Sequence, residues 1–125
     1  MNAENTKAVN EYVAEMNTAI DSVKRSSAKM FDVLKKAHQE LNPDDFEKFK
    51  SEINLERSSI NKMLVICKSE FVKENAEKLP ISWGTLYVIA GIKEEHAREL
   101  LDKGKLTSSS TKNSVIQLKN KAAND

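Results

Sequence analysis

From Val9 to Leu41 the apolar residues step alternately by four and three: Val9, Val13, Met16, Ile20, Val23, Ser27, Met30, Leu34, Ala37 and Leu41, with Ser27 the single polar member. No glycine or proline precedes Pro43. The pattern therefore predicts one uninterrupted helix of about forty residues, about 55 Å long at 1.5 Å per residue. A period of 3.5 residues held over several heptads marks a coiled-coil seam or a long bundle helix. Toward the C-terminal end Phe31 and Val33 widen the stripe, so that end is expected to pack on the rest of the chain. The narrower end, Val9, Val13, Met16, Ile20 and Val23, has too little sequence opposite it for intramolecular cover. It is the expected seam for a homodimer or a partner helix. Ser26-Ser27 interrupts the seam and is where a bend would fall.

Asn42-Pro43-Asp44-Asp45 reads as a helix start, with a capping amide, proline at the first turn and two acids facing the positive end of the helix dipole. The helix carries Phe46, Phe49 and Ile53 on one face and stops near Asn54. Apolar spacing resumes at Ile60, Met63, Leu64 and Cys67, so two short helices are expected to meet at a tight corner. Leu79-Pro80 ends the following polar stretch, because proline disfavours helical backbone in the residue before it. Ser82 is the expected cap of a helix with Trp83, Leu86, Tyr87, Ile89 and Ala90, and Gly91 its expected left-handed stop. A further helix from Lys93 to Lys103 ends at Gly104, and Thr107 to Thr111 reads as a loop that caps a last helix with Val115, Ile116 and Leu118.

The expected fold is all-α: a long N-terminal helix, partly coiled coil, packed on two small helix-turn-helix-like corners. By residue, 1–41 form the oligomerisation arm, 42–78 the first unit, 79–121 the second, and 122–125 a frayed tail. Only three glycines and two prolines in 125 residues argue against a sandwich or barrel, which needs frequent turns, and against glycine-rich phosphate loops. Twenty basic and nineteen acidic residues leave a formal charge of +1, so any basic surface has to be local. The acid-free segment Lys103, Lys105, Lys112, Lys119 and Lys121 is the clearest one. A single cysteine excludes an intrachain disulfide and fits a reducing cytoplasm. Neither a membrane span nor a signal peptide is expected.

Catalytic readings find little support. His38 and His96 lie in separate expected helices without metal-ligand spacing, Cys67 falls on an apolar helix face, and the paired acids Asp44-Asp45 and Glu94-Glu95 sit in first helical turns. No cofactor or metal is implied, and no enzyme is expected. The first corner is more informative, because the spacing of Phe49, Ile53, Leu55, Ile60 and Met63 approaches that of a helix-turn-helix unit. Asn54 would supply the left-handed turn residue, although Lys50 stands where a small residue normally admits the second helix. That helix would present Arg57, Ser58, Ser59, Asn61 and Lys62 to double-stranded DNA, with Lys103, Lys105 and Lys112 adding phosphate contacts. The plain alternative is a helical corner with a solvated face. Trp83 and Tyr87, one turn apart, read as core or as a base-stacking pair.

The stretch Leu79-Pro80-Ile81-Ser82-Trp83-Gly84-Thr85-Leu86-Tyr87, with Gly104-Lys105-Leu106-Thr107 and Thr111-Lys112 downstream, resembles an LP-x-SW-x-TLY element of small phage and plasmid proteins of unassigned function. In those proteins the element follows a helix-turn-helix-like region, which Ala37, Leu41, Asp45-Phe46, Phe49 and Ile53 to Leu64 echo here. Val88-Ile89-Ala90-Gly91 departs from the family's more polar continuation, and the heptads before Ile20 lie outside the likeness. The resemblance implies a mobile-element origin and a nucleic-acid-associated role, and it carries no biochemical activity. A DNA-binding regulator is the expected function. The rival is an inhibitor that docks on a host defence complex, for example an anti-CRISPR protein, or on a transcription complex.

Overall fold

A computed structural model describes the backbone of residues 3–124 and the side chains of residues 8–121. Among the described residues the chain is entirely helical: α1 (Ala3–Glu40), α2 (Pro43–Glu52), α3 (Arg57–Cys67), α4 (Glu70–Asn75), a 3₁₀ turn (Ala76–Lys78), α5 (Trp83–Ala90), α6 (Glu94–Asp102) and α7 (Lys112–Asn124). The long first helix is therefore present and continuous through Ser26-Ser27, without a break at the polar pair. The polar end expected to fray is helical as far as Asn124, and position 125 lies outside the described residues.

Local capping explains most boundaries. Asn42 Oδ1 accepts the Asp45 backbone N–H at 2.8 Å and Pro43 opens α2. Ser69 caps α4 through the Val72 N–H, and Ser82 caps α5 through the Thr85 N–H. At α7 the capping is reciprocal: Thr111 Oγ1 accepts from Ser114 N–H and Ser114 Oγ from Thr111 N–H, both at 3.1 Å. Gly104 has φ 74°, with Gly104 N–H bonded to Leu101 O and Lys105 N–H to Leu100 O, the hydrogen-bond pair of a Schellman stop.

Two expected turns differ. Gly91 ends α5 with φ −84°, a right-handed conformation open to any residue. Asn54 is not left-handed either, since no non-glycine residue has positive φ among the described residues. Instead Ile53 and Glu56 are both extended, with ψ 152° and 149°, and the chain bends between them, so α2 and α3 are joined by a four-residue link without a left-handed residue. Lys50 stands at this corner. Its side chain is 11% exposed, lies 5.0 Å from the Phe46 ring centroid and pairs with Glu47 at 2.7 Å. The position that a small residue normally takes at such a corner thus carries a long side chain laid along α2 itself.

The head has two apolar clusters. One joins Leu34 of α1 with Phe46, Ile60 and Met63; the other joins Ile66, Phe71, Val72, Leu79, Leu86, Ile89, Ala97, Leu106 and Val115. Helix α3 is central, packed on α1, α4 and α5, while α5 carries α7 on another side. Phe31 and Trp83 pack against both clusters, with ring centroids 6.2 Å apart. Helix α1 thus closes the head with its C-terminal half and leaves its N-terminal half outside.

Candidate nucleic-acid and partner interface

Between Ala8 and Val23 every residue is exposed except Ile20, which is half-buried. Val9, Val13, Met16 and Val23 remain 46 to 62% exposed, and Tyr12 71%. Hydrogen bonds to the head are made by Lys24, whose ammonium donates to the Glu77 carbonyl at 2.8 Å, and by Ser27, whose hydroxyl accepts the Trp83 indole N–H at 3.4 Å. The expected seam is therefore an uncovered apolar stripe on a projecting arm of about 30 Å. Coiled-coil spacing on a solvated helix is unstable in isolation, because helix stability in water comes mostly from tertiary packing of the apolar face.

The expected DNA-reading residues are divided by their helix. Arg57, Ser58 and Asn61 are exposed along one edge of α3, continued by Val65 and Lys68; Ser59 and Lys62 are half-buried, and Ile60, Met63 and Ile66 face the core. Only a narrow edge of α3 is free, since the helix is covered on two sides. Arg57 is held by Glu47 at 3.1 Å, and this pairing with Lys50 and Arg57 depresses the Glu47 pKa, the Lys50 hydrogen bond contributing most. The ion pair is exposed and so contributes little to stability. Glu56 caps α3 without a side-chain hydrogen bond, leaving the first backbone N–H groups without that partner.

The second set is spread over other elements. Lys103 pairs with Glu99 one turn earlier on α6 and lowers its pKa, Lys105 is exposed beyond the Gly104 stop, and Lys112 opens α7. The Lys112 stem lies near Gly84 at the start of α5, and the Lys119 ammonium lies over Gly91 at its end, so α5 and α7 run parallel. The Lys119 charge thereby sits where the α5 carbonyls converge, which is favourable for the helix dipole. Trp83 and Tyr87, one turn apart on α5, differ in exposure: Trp83 packs on Phe31 and donates to Ser27, while Tyr87 is 41% exposed.

Two of the residues weighed for catalysis, His38 and Cys67, make packing and backbone contacts. His38 meets Phe46 edge-on, with ring centroids 5.0 Å apart. Cys67 is half-buried, its thiol donates to the Leu64 carbonyl, and burial pushes its pKa up. Among the described residues no group of three His, Cys, Asp or Glu side chains is placed to hold a metal, and no helix is long and apolar enough to cross a membrane. What the fold defines is an all-helical protein with a compact head and a projecting helical arm. In comparisons with protein-family models, curated proteins and solved structures, the chain matches none.

Proposed function

We propose that the protein is a noncatalytic, DNA-associated regulator that works as a homodimer. Paired α1 arms hold two heads at a fixed separation, and each head offers the exposed edge of α3, with Arg57, Ser58 and Asn61, to the duplex. Lys103, Lys105 and Lys112 add phosphate contacts whose strength falls with salt. The observation that carries this reading is the division between an arm with a largely uncovered heptad stripe and a head whose core clusters do not include it. Pairing doubles weak contacts through effective concentration, which is what a chain of net charge +1 needs to hold a polyanion. The likeness to phage and plasmid proteins agrees with this role and implies the cytoplasm of a bacterial host. The test is duplex binding at low salt, measured beside sedimentation of the same sample. A monomer that binds no duplex overturns both halves.

A second reading is supported by a different observation. Some of the cations assigned to DNA or close to them are already paired: Arg57 with Glu47, Arg98 with Glu74 and Glu94, Lys103 with Glu99. In that reading the arm pairs with a foreign helix, and the protein inhibits a host defence or transcription complex. A pull-down from host lysate with and without nuclease separates the two, because a protein partner survives digestion and a DNA-bridged one does not.

A further inference from the structure

A cleft of about 280 Å³ opens where α1 passes α4, the end of α3 and the approach to α5. Its floor is apolar: Phe31, Ile66, Val72, Pro80 and Leu86, all buried except the half-buried Phe31. Its rim is cationic. Lys24, Lys35 and Lys73 line it with a single carboxylate, Asp32. That carboxylate is taken by Lys36 at 3.1 Å, outside the cleft. Lys24 donates to the backbone carbonyl of Glu77, which leaves its charge uncancelled. Lys35 meets Glu70 only at 3.9 Å, and Lys73 has no carboxylate within 4.0 Å among the described residues. Lys24 and Lys35, about 16 Å apart along α1, therefore mark the two ends of the apolar floor, and Lys73 stands one turn of α4 from the Glu70 that Lys35 approaches. The charge and the greasy surface each call for something different, and one kind of molecule supplies both.

We propose that this cleft binds a small amphiphilic anion, a single-chain carboxylate whose tail lies on the Phe31–Leu86 floor and whose head group is met by Lys35 and Lys73. The size sets the chain length. An apolar cavity of about 150 Å³ holds benzene, so this cleft suits a tail of about ten carbons. It is too short for a turn-by-turn helix ligand, and smaller than most sites for drug-sized molecules. The tail displaces water from apolar side chains, and the carboxylate offsets the charges of Lys35 and Lys73. Cys67 lies in the wall and supplies a built-in reporter, since the chain has no other cysteine.

Decanoate, titrated calorimetrically into the full chain, tests the inference, with decanol and decyltrimethylammonium as neutral and cationic counterparts of the same tail. One decanoate per chain is expected, with decanol weaker by about fivefold, the scale of a partly exposed ion pair, and the cation weaker still. Saturating decanoate is expected to slow alkylation of Cys67 by iodoacetamide. Lys73→Gln, at an exposed position, is expected to weaken decanoate binding severalfold and leave decanol binding unchanged. Ala28→Leu fills the cleft and should abolish binding; if that variant does not fold, Cys67 alkylated with a bulky maleimide provides the same block. Absence of decanoate binding overturns the proposal, as does equal binding of the three head groups or full affinity in the blocked protein. Association with phosphatidylserine vesicles without uptake of monomeric decanoate also overturns it, because the surface would then be a lipid-headgroup site.

Discussion

The Trp83 indole N–H donates to the hydroxyl of Ser27 at 3.4 Å, across 56 residues of chain. Ser27 is the one polar residue on the apolar spacing of α1, and this bond accounts for it: at that position the helix meets the polar edge of a large aromatic ring rather than a hydrocarbon. The same ring packs on Phe31 and touches both core clusters, so the contact fixes the register of α1 on the head.

Ser27→Ala leaves the indole N–H without its partner in a part-buried site. A loss of about 1 kcal/mol is expected, read as a lower urea midpoint at unchanged slope. Trp83→Ala removes the ring as well and is expected to cost about 3 to 5 kcal/mol.

Two glycines at helix ends should respond differently to alanine. Gly104 sits at φ 74°, so Gly104→Ala is expected to destabilise by about 1 kcal/mol. Gly91 is right-handed, and the atom nearest its missing Cβ is the movable end of Lys119, 2.7 Å away. Gly91→Ala is therefore expected to be neutral, or to stabilise by up to about 1 kcal/mol by narrowing the unfolded ensemble. Thermal unfolding of the two variants side by side decides this.

Charge on the arm separates association from folding. Val13→Glu with Met16→Glu places acids on the exposed stripe but touches nothing in the head. The double variant is expected to sediment as a monomer at concentrations where the parent is a dimer, with the urea midpoint of the head within about 0.5 kcal/mol of the parent monomer's. A parent that is itself monomeric would refute the dimer.

If the head holds duplex, replacing Lys105 and Lys112 by glutamine should lower the slope of log affinity against log salt by about 0.9 for each phosphate that is no longer neutralised. Arg57→Ala should cost about 1 to 3 kcal/mol on a preferred site and much less on random sequence, if it reads a base. Equal weakening on both would assign Arg57 to the phosphates.

Burial raises the Cys67 pKa, so at pH 8 the folded protein is expected to alkylate more slowly than the urea-unfolded chain. The linkage has a definite sign: the folded state disfavours the thiolate, so stability is lost as pH rises above the thiol's unfolded pKa. Glu47 and Glu99 run the other way. Their pKa values are depressed by Lys50 with Arg57 and by Lys103, so their contributions are present above the ordinary carboxylate range and fade as pH falls through it. Both are fully exposed, and high salt should erase the acid-side effect.

Much of the helical plan was legible because its causes are local. The stripe from Val9 to Leu41, the Asn42-Pro43 start, the Ser82 cap and the Gly104 stop depend on residues within a turn of one another. Such signals survive without knowledge of the partner. The exposure of the Val9 to Val23 stripe was legible too, from the shortage of sequence to cover it. Asn54 and Gly91 misled because a residue able to adopt a left-handed turn need not do so: Gly91 ends α5 in a right-handed hydrogen-bonded turn, and the α2–α3 link turns without any left-handed residue. Lys24, Ser27 and Lys73 gave no sign of their places at the cleft and the Trp83 contact, since their partners lie far along the chain or are absent from the pattern.

The sequence by itself determined that the chain is helical, where most helices begin and end, and that one long helix outruns its cover, because hydrogen bonding along a helix and the period of its side chains are near-neighbour properties. Tertiary structure alone decided that α3 lies in the middle of the head with one narrow polar edge free, that Trp83 is packed while Tyr87 is exposed, and that three lysines line an apolar cleft. Those outcomes depend on which helix faces which across tens of residues, and no spacing within a single helix encodes them.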